Sequence, residues 1–250
     1  MTTHVIALPG GVNPAELRYR PVQDALGSDV QLHWKDLEVY AGDAPPADYS
    51  IQMEVDALAR FADSLGFERF HLLGYSGGGF VSLAFAGAHP DRLRTLALFE
   101  PAGIPGTLSH DEAVLAVQLE DSLRGLTGDD FMRAFMLRQL RPGVSMQPPP
   151  GPAPPWMAKR PAGLNAMMHA FGAHQFDRDW LRTCSAPTFV GHGSLTGEQE
   201  EVRAGVLARL MPDLHVRRFD GIHHFVPADK LYTPEHLQEL RVLWRKAENE

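Results

Sequence analysis

The sequence is poor in three features that would indicate particular classes of protein: cysteine, clustered positive charge and long apolar segments. Its 250 residues contain one cysteine, Cys184, so there is no internal disulfide and no thiol pair at the spacing of a zinc site. Lysine and arginine number 23 against 31 aspartates and glutamates, a net charge of −8, and no basic run could bind a phosphate backbone. We therefore predict a globular protein without a nucleic-acid partner, in which Cys184 is a buried apolar residue.

The apolar stretches are too short or too interrupted for a membrane protein. The longest, residues 72–88, contains Gly74, Ser76 and three consecutive glycines, and it falls short of the roughly 20 residues of a spanning helix. Three residues precede the first apolar run, His4 to Leu8, which does not match the pattern of a secretory leader. We expect a cytoplasmic protein without membrane association. The oligomeric state stays open, and a homo-oligomer is possible.

Apolar runs with the length of strands alternate with segments of helical periodicity along much of the chain. The strand-like runs are residues 5–8, 30–34, 70–73, 96–99, 188–190 and 214–219. The helix-like segments between most of them are residues 55–65, 80–88, 202–210 and 234–246. Because such alternation implies parallel pairing through right-handed crossovers, we predict an α/β fold with about six, mostly parallel strands.

One long stretch, residues 103–185, interrupts this alternation. It shows no strand pattern, and its helix-like segments are residues 112–123, 129–140 and 164–174. A proline-rich run, residues 148–155, separates the last two of these segments and should adopt an extended, stiff backbone. We predict that residues 103–185 form a helical insertion in a core made of residues 1–102 and 186–250.

The sharpest local pattern is Gly74-Tyr75-Ser76-Gly77-Gly78, a G-x-S-x-G sequence. It directly follows a strand-like run and directly precedes a helix-like segment, which is the context in which this motif forms a nucleophile elbow. The sharp turn strains the backbone of the central serine and presents its hydroxyl at the carboxyl edge of the sheet. Ser76 is therefore a candidate nucleophile, with an inert serine in a glycine-rich turn as the alternative.

A serine nucleophile needs a base, and two histidines near the end of the chain are candidates. His223 and His224 follow the last strand-like run, between Asp220 and Pro227. This places them at the carboxyl edge of the sheet, where α/β proteins carry their sites. Position alone does not decide between the two.

Together, the elbow, the histidine loop and the helical insertion resemble the α/β-hydrolase superfamily, in its branch of small esterase-like proteins with a helical cap. The resemblance covers the whole chain and implies the catalytic order serine, acid, histidine. The family's histidine sits in a Gly-His-Phe loop, which His224 and Phe225 match, with His223 in place of the glycine. The resemblance therefore implies His224 as the base and the helical insertion as a cap.

The end of the first strand resembles the family's oxyanion turn. In the family this turn is His-Gly-x, and the last residue donates a backbone N–H to the oxyanion hole. Here the turn is Leu8-Pro9-Gly10-Gly11, with proline in place of histidine. The resemblance implies Gly11 and Gly77 as the two donors to the negative oxygen of a tetrahedral intermediate. A plain turn between strand and helix is the alternative.

The acid departs most from the family pattern. Most members carry it as Gly-x-x-Asp after the strand that follows the cap, but here Thr196 stands at that position. Other branches, the haloalkane dehalogenases among them, take the acid from the end of the preceding strand, the sixth of the family, where this sequence has Glu100. We expect Glu100 to hold the His224 imidazolium, with Glu198 as the alternative acid and His192 as a structural residue.

We expect the helical insertion to form the roof of a pocket for a small to medium, partly hydrophobic substrate. The expected wall residues are Phe131, Phe135, Met136, Trp156, Met167, Met168 and Phe171. At helical spacing, packed core is the alternative for these side chains. The sequence contains no phosphate-binding glycine loop and no haem, flavin or nicotinamide signature, so we expect neither a cofactor nor a metal.

The leading functional hypothesis is a cofactor-free serine hydrolase. In it, Ser76 attacks a carbonyl, His224 moves the proton and Glu100 orients the histidine. An ester, thioester, lactone or carbon–carbon bond fits this chemistry. Two alternatives remain open: a lyase, perhydrolase or cofactor-free oxygenase on the same framework, and a non-catalytic protein that binds a small ligand.

Overall fold

A parallel β-sheet forms the centre of the computed structural model, which describes residues 2–146 and 151–248. Its strands are β1 (Thr3–Leu8), β2 (Val30–Trp34), β3 (Phe70–Tyr75), β4 (Leu93–Phe99), β5 (Thr188–Gly193) and β6 (Leu214–Phe219). The order across the sheet is β2-β1-β3-β4-β5-β6, and every neighbouring pair is parallel. The predicted α/β class with about six parallel strands is confirmed.

Helices cover both faces of the sheet. They are α1 (Ala15–Leu26), α2 (Ile51–Ser64), α3 (Gly77–Ala88), α4 (His110–Leu123), α5 (Gly128–Arg138), α6 (Arg160–Ala173), α7 (Gln199–Leu210), α8 (Ala228–Leu231) and α9 (Pro234–Glu248). One hydrophobic core joins α2, α3 and α7 to the sheet, and a second joins α1 and α9 to its other face. No helix in the described residues is long and apolar enough to cross a bilayer.

Local sequence signals explain α2 well and α1 poorly. In α2 the Ser50 hydroxyl accepts a hydrogen bond from the Met53 N–H, and an apolar stripe faces the core. Helix α1, which the sequence patterns did not predict, contains Pro21 and buries Arg18 on its inner face. An internal proline and a buried arginine both contradict the usual pattern of an amphipathic helix.

The helical insertion lies between β4 and β5. Within its described residues it contains α4, α5, α6 and short 3₁₀ turns, and its one β-bridge joins Leu140 to Thr196. Of the proline-rich run, Pro148 to Pro150 lie outside the described residues, and the remainder leads into a 3₁₀ turn, Pro155–Lys159, before α6. Cys184, at the end of the insertion, is buried.

Main-chain hydrogen bonds join the insertion to the 193–197 segment, which begins at the last residue of β5. The Arg141 N–H donates to the Leu195 carbonyl at 3.0 Å, and the Gly197 N–H donates to the Gln139 carbonyl at 2.9 Å. Together with the bridge at Leu140, these bonds pair the residues directly after α5 with the 193–197 segment. One side of the insertion is therefore attached directly to the core.

Arg178 holds the beginning of the insertion against its end. Its guanidinium donates to both carboxylate oxygens of Glu112, at 2.7 and 3.0 Å, and to the carbonyls of Ile104 and Pro105, at 3.1 and 3.0 Å. Both charged side chains are nearly buried. A paired, bidentate contact of this kind is much stronger than an exposed ion pair.

Candidate active site

The G-x-S-x-G sequence forms a tight turn between β3 and α3. Ser76 takes the strained backbone angles φ 51° and ψ −118° between the last residue of β3 and the first residue of α3. The turn leaves no room for side chains beside it, since a Cβ on Gly74 would lie 2.4 Å from Ser82 Oγ and one on Gly78 would lie 2.4 Å from the Pro9 carbonyl oxygen. The glycines are therefore required sterically, and they leave Ser76 half-buried at the sheet edge.

His224 lies between Ser76 and Glu100 and contacts both. Its Nε2 is 3.0 Å from Ser76 Oγ, and its Nδ1 is 2.6 Å from Glu100 Oε2. His224 and Glu100 are buried. When Nδ1 carries the proton and donates it to the carboxylate, Nε2 is left as the acceptor for the serine hydroxyl. The structure thus brings together the three residues that the sequence suggested as nucleophile, base and acid.

The carboxylate of Glu100 is held by donors from the neighbouring strand end. Its Oε1 accepts hydrogen bonds from the Gly193 N–H, at 2.7 Å, and from the Thr196 hydroxyl. The Glu100 backbone has φ 45°, and its N–H donates to the Gly191 carbonyl at 3.0 Å. A left-handed conformation in a buried glutamate is rare and marks a position of functional strain.

The other candidates from the sequence lie elsewhere. Glu198 is exposed at the start of α7. His223 is half-buried, and its Nδ1 accepts a hydrogen bond from the Phe225 N–H. His192 is buried, and its Nδ1 has no hydrogen-bond partner in the described part of the chain. Burial lowers the pKa of both His223 and His192, whereas His224 is the histidine that reaches Ser76.

The two glycines expected to donate N–H groups lie side by side next to Ser76. The Gly78 N–H donates to the Pro9 carbonyl at 2.9 Å, which attaches the β1 turn to the start of α3. The Gly11 nitrogen lies 3.5 Å from the point where a Cβ on Gly77 would sit. Gly77 is the first residue of α3, where N–H groups have no partner within the helix and the helix dipole is positive.

Met167 of α6 covers this pair of glycines. A Cβ added to Gly77 would lie 2.3 Å from Met167 Cε, and one added to Gly11 would lie 3.3 Å from Met167 Sδ. The Met167 side chain is buried, as is that of Leu164 one turn earlier on α6. The helical insertion therefore contacts the site directly, through an apolar and flexible side chain.

A cavity of about 950 Å³ lies between the helical insertion and the core. Phe131, Met168 and Phe171 line it, as expected from the sequence. Ser76 itself does not line it, but Ala102 does, and the Ala102 N–H donates to the Ser76 carbonyl at 2.9 Å. The cavity therefore ends immediately beside the elbow.

Four of the expected wall residues do not line this cavity, and here the prediction was wrong. Met167 lies on the two glycines instead, and Trp156 lies beside the Arg160 guanidinium, 5.2 Å from it. Phe135 and Met136 pack in an apolar cluster of the insertion with other side chains of α4 to α6. Helical spacing showed that these positions are apolar, but it did not show which side of each helix faces the cavity.

One charged pair beside the cavity was not anticipated from the sequence. Arg203 lines the cavity, pairs with the buried carboxylate of Glu200 and donates to the Pro101 carbonyl at 3.1 Å. Burial raises the pKa of Glu200 to about 8, although Arg203 acts in the opposite direction. Both residues lie on α7, which carries no sequence motif that singles them out. In the part of the chain that the structure describes, no group of three or more histidine, cysteine or acidic side chains could hold a metal ion.

The chain is similar to known hydrolases in sequence and in fold. A family model described as the alpha/beta hydrolase fold matches residues 16–187. N-formylmaleamate deformylase of Pseudomonas putida is 25% identical over 239 residues, which cover 91% of this chain and 84% of the relative. A thermophilic esterase from Thermogutta terrifontis superposes with a TM-score of 0.70 at 20% identity, covering 99% of this chain and 91% of the esterase. A carboxylesterase from Nitrososphaera gargenis superposes with a TM-score of 0.68 at 16% identity, covering 99% and 92%.

Proposed function

The chain belongs to the alpha/beta hydrolase family, and on this basis we propose that it is a serine hydrolase that works through an acyl-enzyme. The contact that carries the proposal is the position of His224, whose Nε2 lies 3.0 Å from Ser76 Oγ while Nδ1 lies 2.6 Å from Glu100. These distances suit proton transfer from the hydroxyl and orientation of the imidazole by the carboxylate.

The proposed reaction has two matched steps. His224 Nε2 takes the Ser76 proton as Oγ bonds to the substrate carbonyl carbon, and the imidazolium then gives this proton to the leaving group as the acyl-enzyme forms. The same nitrogen then takes a proton from a water molecule, whose oxygen bonds to the acyl carbon. The imidazolium returns this proton to Ser76 Oγ as the acyl-enzyme is cleaved. The N–H groups of Gly11 and Gly77 stabilise the negative oxygen of both tetrahedral intermediates.

We propose a partly hydrophobic acyl substrate of small to medium size. The cavity beside Ala102 has aromatic and aliphatic walls, including Phe80, Leu119 and Leu123, which favour a partly hydrophobic group. In this proposal residues 103–185 are the cap, and residues 1–102 and 186–250 are the catalytic core. The similarity to N-formylmaleamate deformylase adds an N-formyl amide to the ester, thioester, lactone and carbon–carbon bonds to be tested.

Ser76→Ala tests the proposal directly. We expect this variant to lose turnover of activated esters by more than about 1,000-fold, and we expect a fluorophosphonate to label the wild type on Ser76. Ser64→Ala is the matched control, because Ser64 is exposed at the end of α2 and its loss should leave activity unchanged. Full activity in Ser76→Ala would contradict an acyl-enzyme.

The same panel separates the alternatives. Turnover that survives Ser76→Ala but needs His224 would indicate lyase or oxygenase chemistry on this framework. Tight ligand binding without turnover would indicate a non-catalytic protein. Glu100→Gln and Glu198→Gln then test the acid: we expect a kcat loss of about 100-fold or more in the first variant and none in the second.

A further inference from the structure

Two arginines are buried without the acidic partner that such residues usually require. Arg18 in α1 and Arg160 at the start of α6 are almost completely buried. Arg18 Nε and Nη2 and Arg160 Nε have no hydrogen-bond partner in the described residues. An unpaired buried charge is strongly unfavourable. Contacts other than ion pairs must therefore stabilise these two guanidinium groups.

The guanidinium of each arginine lies over a tyrosine ring. Arg18 Cζ is 3.6 Å from the centroid of the Tyr75 ring, and Arg160 Cζ is 3.8 Å from the centroid of the Tyr40 ring. These distances are well within the range of cation–π attraction, which is strongest where water is excluded. We call the two pairs the Arg18–Tyr75 stack and the Arg160–Tyr40 stack.

The hydroxyl of each tyrosine donates to a main-chain carbonyl of the candidate site. Tyr75 donates to the carbonyl of His224, and Tyr40 donates to the carbonyl of Gly11 at 2.6 Å. The Tyr75 ring also stacks against the His224 imidazole, with centroids 5.1 Å apart and planes 24° from parallel. The same arrangement thus occurs twice, built from unrelated segments, and it ends once at the proposed base and once at a proposed oxyanion donor.

Burial keeps both hydroxyls in the form that can donate. Burial raises the pKa of Tyr40 to about 12, although Arg160 acts against this, and it raises the pKa of Tyr75 further above its ordinary value. A phenolate could not donate to a carbonyl, so a neutral tyrosine is required at both positions. Arg18 adds a long contact of its own, from Nη1 to the Val226 carbonyl at 3.5 Å.

We propose that Arg18 and Arg160 are positioning residues, each of which holds a tyrosine that fixes one loop of the active site. The inference rests on the proposed hydrolase function. The loops that carry His224 and Gly11 have no regular secondary structure, so the tyrosine hydroxyls restrict main-chain movements that neither strand nor helix restricts. A displacement of about 1 Å at a reacting group can lower a rate about 100-fold, so small losses of order here should be visible in kcat.

Removing single groups from each stack tests the proposal. Tyr75→Phe and Tyr40→Phe keep the ring and remove the hydrogen bond, whereas Arg18→Met and Arg160→Met remove the charge. We expect each variant to lower kcat for a small activated ester about 10-fold or more, with KM within about twofold of the wild type. Arg18→Lys and Arg160→Lys should recover part of the loss, because a cation over the ring is restored.

Two further measurements distinguish the stacks from each other. The low-field proton resonance of the His224–Glu100 hydrogen bond should shift or broaden in Tyr75→Phe and Arg18→Met and stay in place in Tyr40→Phe and Arg160→Met. A trifluoromethyl ketone forms an adduct with an anionic oxygen, and its affinity should fall about 10-fold in the Tyr40 and Arg160 variants. A general loss of packing would not divide the variants in this way.

Phe70→Leu is the control for stability. Phe70 is buried at the opposite end of β3 from Tyr75, so its loss should lower the Tm without changing kcat. If Tyr75→Phe and Tyr40→Phe turn over the ester within twofold of the wild type while folded, the inference is overturned. If the wild type neither turns over any acyl substrate nor labels at Ser76, the proposed function fails; the proton resonance still supports or overturns the Arg18–Tyr75 stack as the device that orders His224.

Discussion

The Thr196 hydroxyl donates a hydrogen bond to Glu100 Oε1. Thr196 stands at the position where most members of the alpha/beta hydrolase family carry the acid. Glu100 stands at the position where other branches of the family carry it. The residue at one acid position therefore holds the carboxylate that occupies the other. Gly193 completes this support with an N–H bond to the same oxygen at 2.7 Å, so Oε2 remains for His224.

Thr196→Val should lower kcat about 10-fold with little change in KM. Valine has the shape of threonine without the donor, so Glu100 would lose a buried hydrogen bond and part of its fixed orientation. Thr196→Ser, which keeps the hydroxyl, should stay close to the wild type. Steady-state kinetics on one activated ester checks both variants, and equal kcat in Val and wild type would show that Gly193 alone holds the carboxylate.

Met167→Ala should shift the preference of the enzyme toward longer acyl chains. Its side chain covers the two proposed oxyanion glycines, Gly11 and Gly77, so truncation would open space beside Ser76. We expect the ratio of kcat/KM for a long-chain over an acetyl ester to rise about 10-fold. The lost packing should lower the free energy of unfolding by about 2–5 kcal/mol.

Met132→Ala is the control for this truncation. Met132 is a buried methionine of α5, so its removal should destabilise the helical insertion without altering the chain-length ratio. A similar shift in both variants would mean that looseness of the insertion, and not space beside Ser76, determines the preference.

Stability should fall in acid because of a neutral histidine in the aromatic core. His236 is buried among the rings of Phe99, Phe219 and Tyr232, and burial lowers its pKa from 6.5 to about 4. The stability that its neutral form contributes is complete above pH 6.5 and is lost as the pH falls toward 4. Over this range the free energy of unfolding should decrease by about 3 kcal/mol from this residue.

His236→Phe should reduce this acid dependence, since phenylalanine suits the aromatic surroundings and does not titrate. Denaturant unfolding at a series of pH values measures the slope. Part of the slope should persist, because burial also lowers the pKa of His71 to about 4. His215→Gln, at an exposed position, should leave the slope unchanged. An unaltered slope in His236→Phe would show that His236 is protonated in the folded state without penalty.

Glu112→Gln should weaken the helical insertion more than any exposed ion pair would. The change removes the charge that faces Arg178 while leaving the guanidinium nearly buried, which costs about 3 kcal/mol in comparable pairs. We expect faster proteolysis within the insertion and a lower Tm. Asp121→Asn, which breaks the exposed pair with Arg124, should change stability by less than about 1 kcal/mol. Equal effects of the two variants would contradict a structural role for Glu112.

Local sequence patterns predicted the sheet and the elbow. Contacts between segments that are distant in the sequence could not be predicted. The inner strands β3, β4 and β5 are largely buried, because parallel strands are covered on both faces, and the glycines around Ser76 identify it as a candidate nucleophile. The burial of Arg18 could not be predicted, because its partner Tyr75 is 57 positions away in the sequence and arginines usually lie at the surface. The left-handed backbone of Glu100 was equally hidden, since glutamate has no local preference for it.

The sequence also could not predict which side of each helix faces the cavity. Phe131 and Met168 line the cavity while Met136 and Met167 do not, although all four are apolar residues of α5 or α6. Periodicity orders apolar residues around one helix, but it contains no information on how α5 and α6 are rotated against the core. That rotation depends on packing between segments, which a single sequence does not display.

The hydrogen bonds between residues 139–141 and the 193–197 segment limit how the helical insertion could be exchanged among related proteins. The 193–197 segment also supplies both donors to Glu100 Oε1, so residues 139–141 pair with the loop that holds this carboxylate. A chimera cut at the ends of the insertion would pair a foreign helix end with this loop. We therefore expect a chimera to keep the orientation of Glu100 only when the 193–197 segment is transferred together with the helices that it contacts.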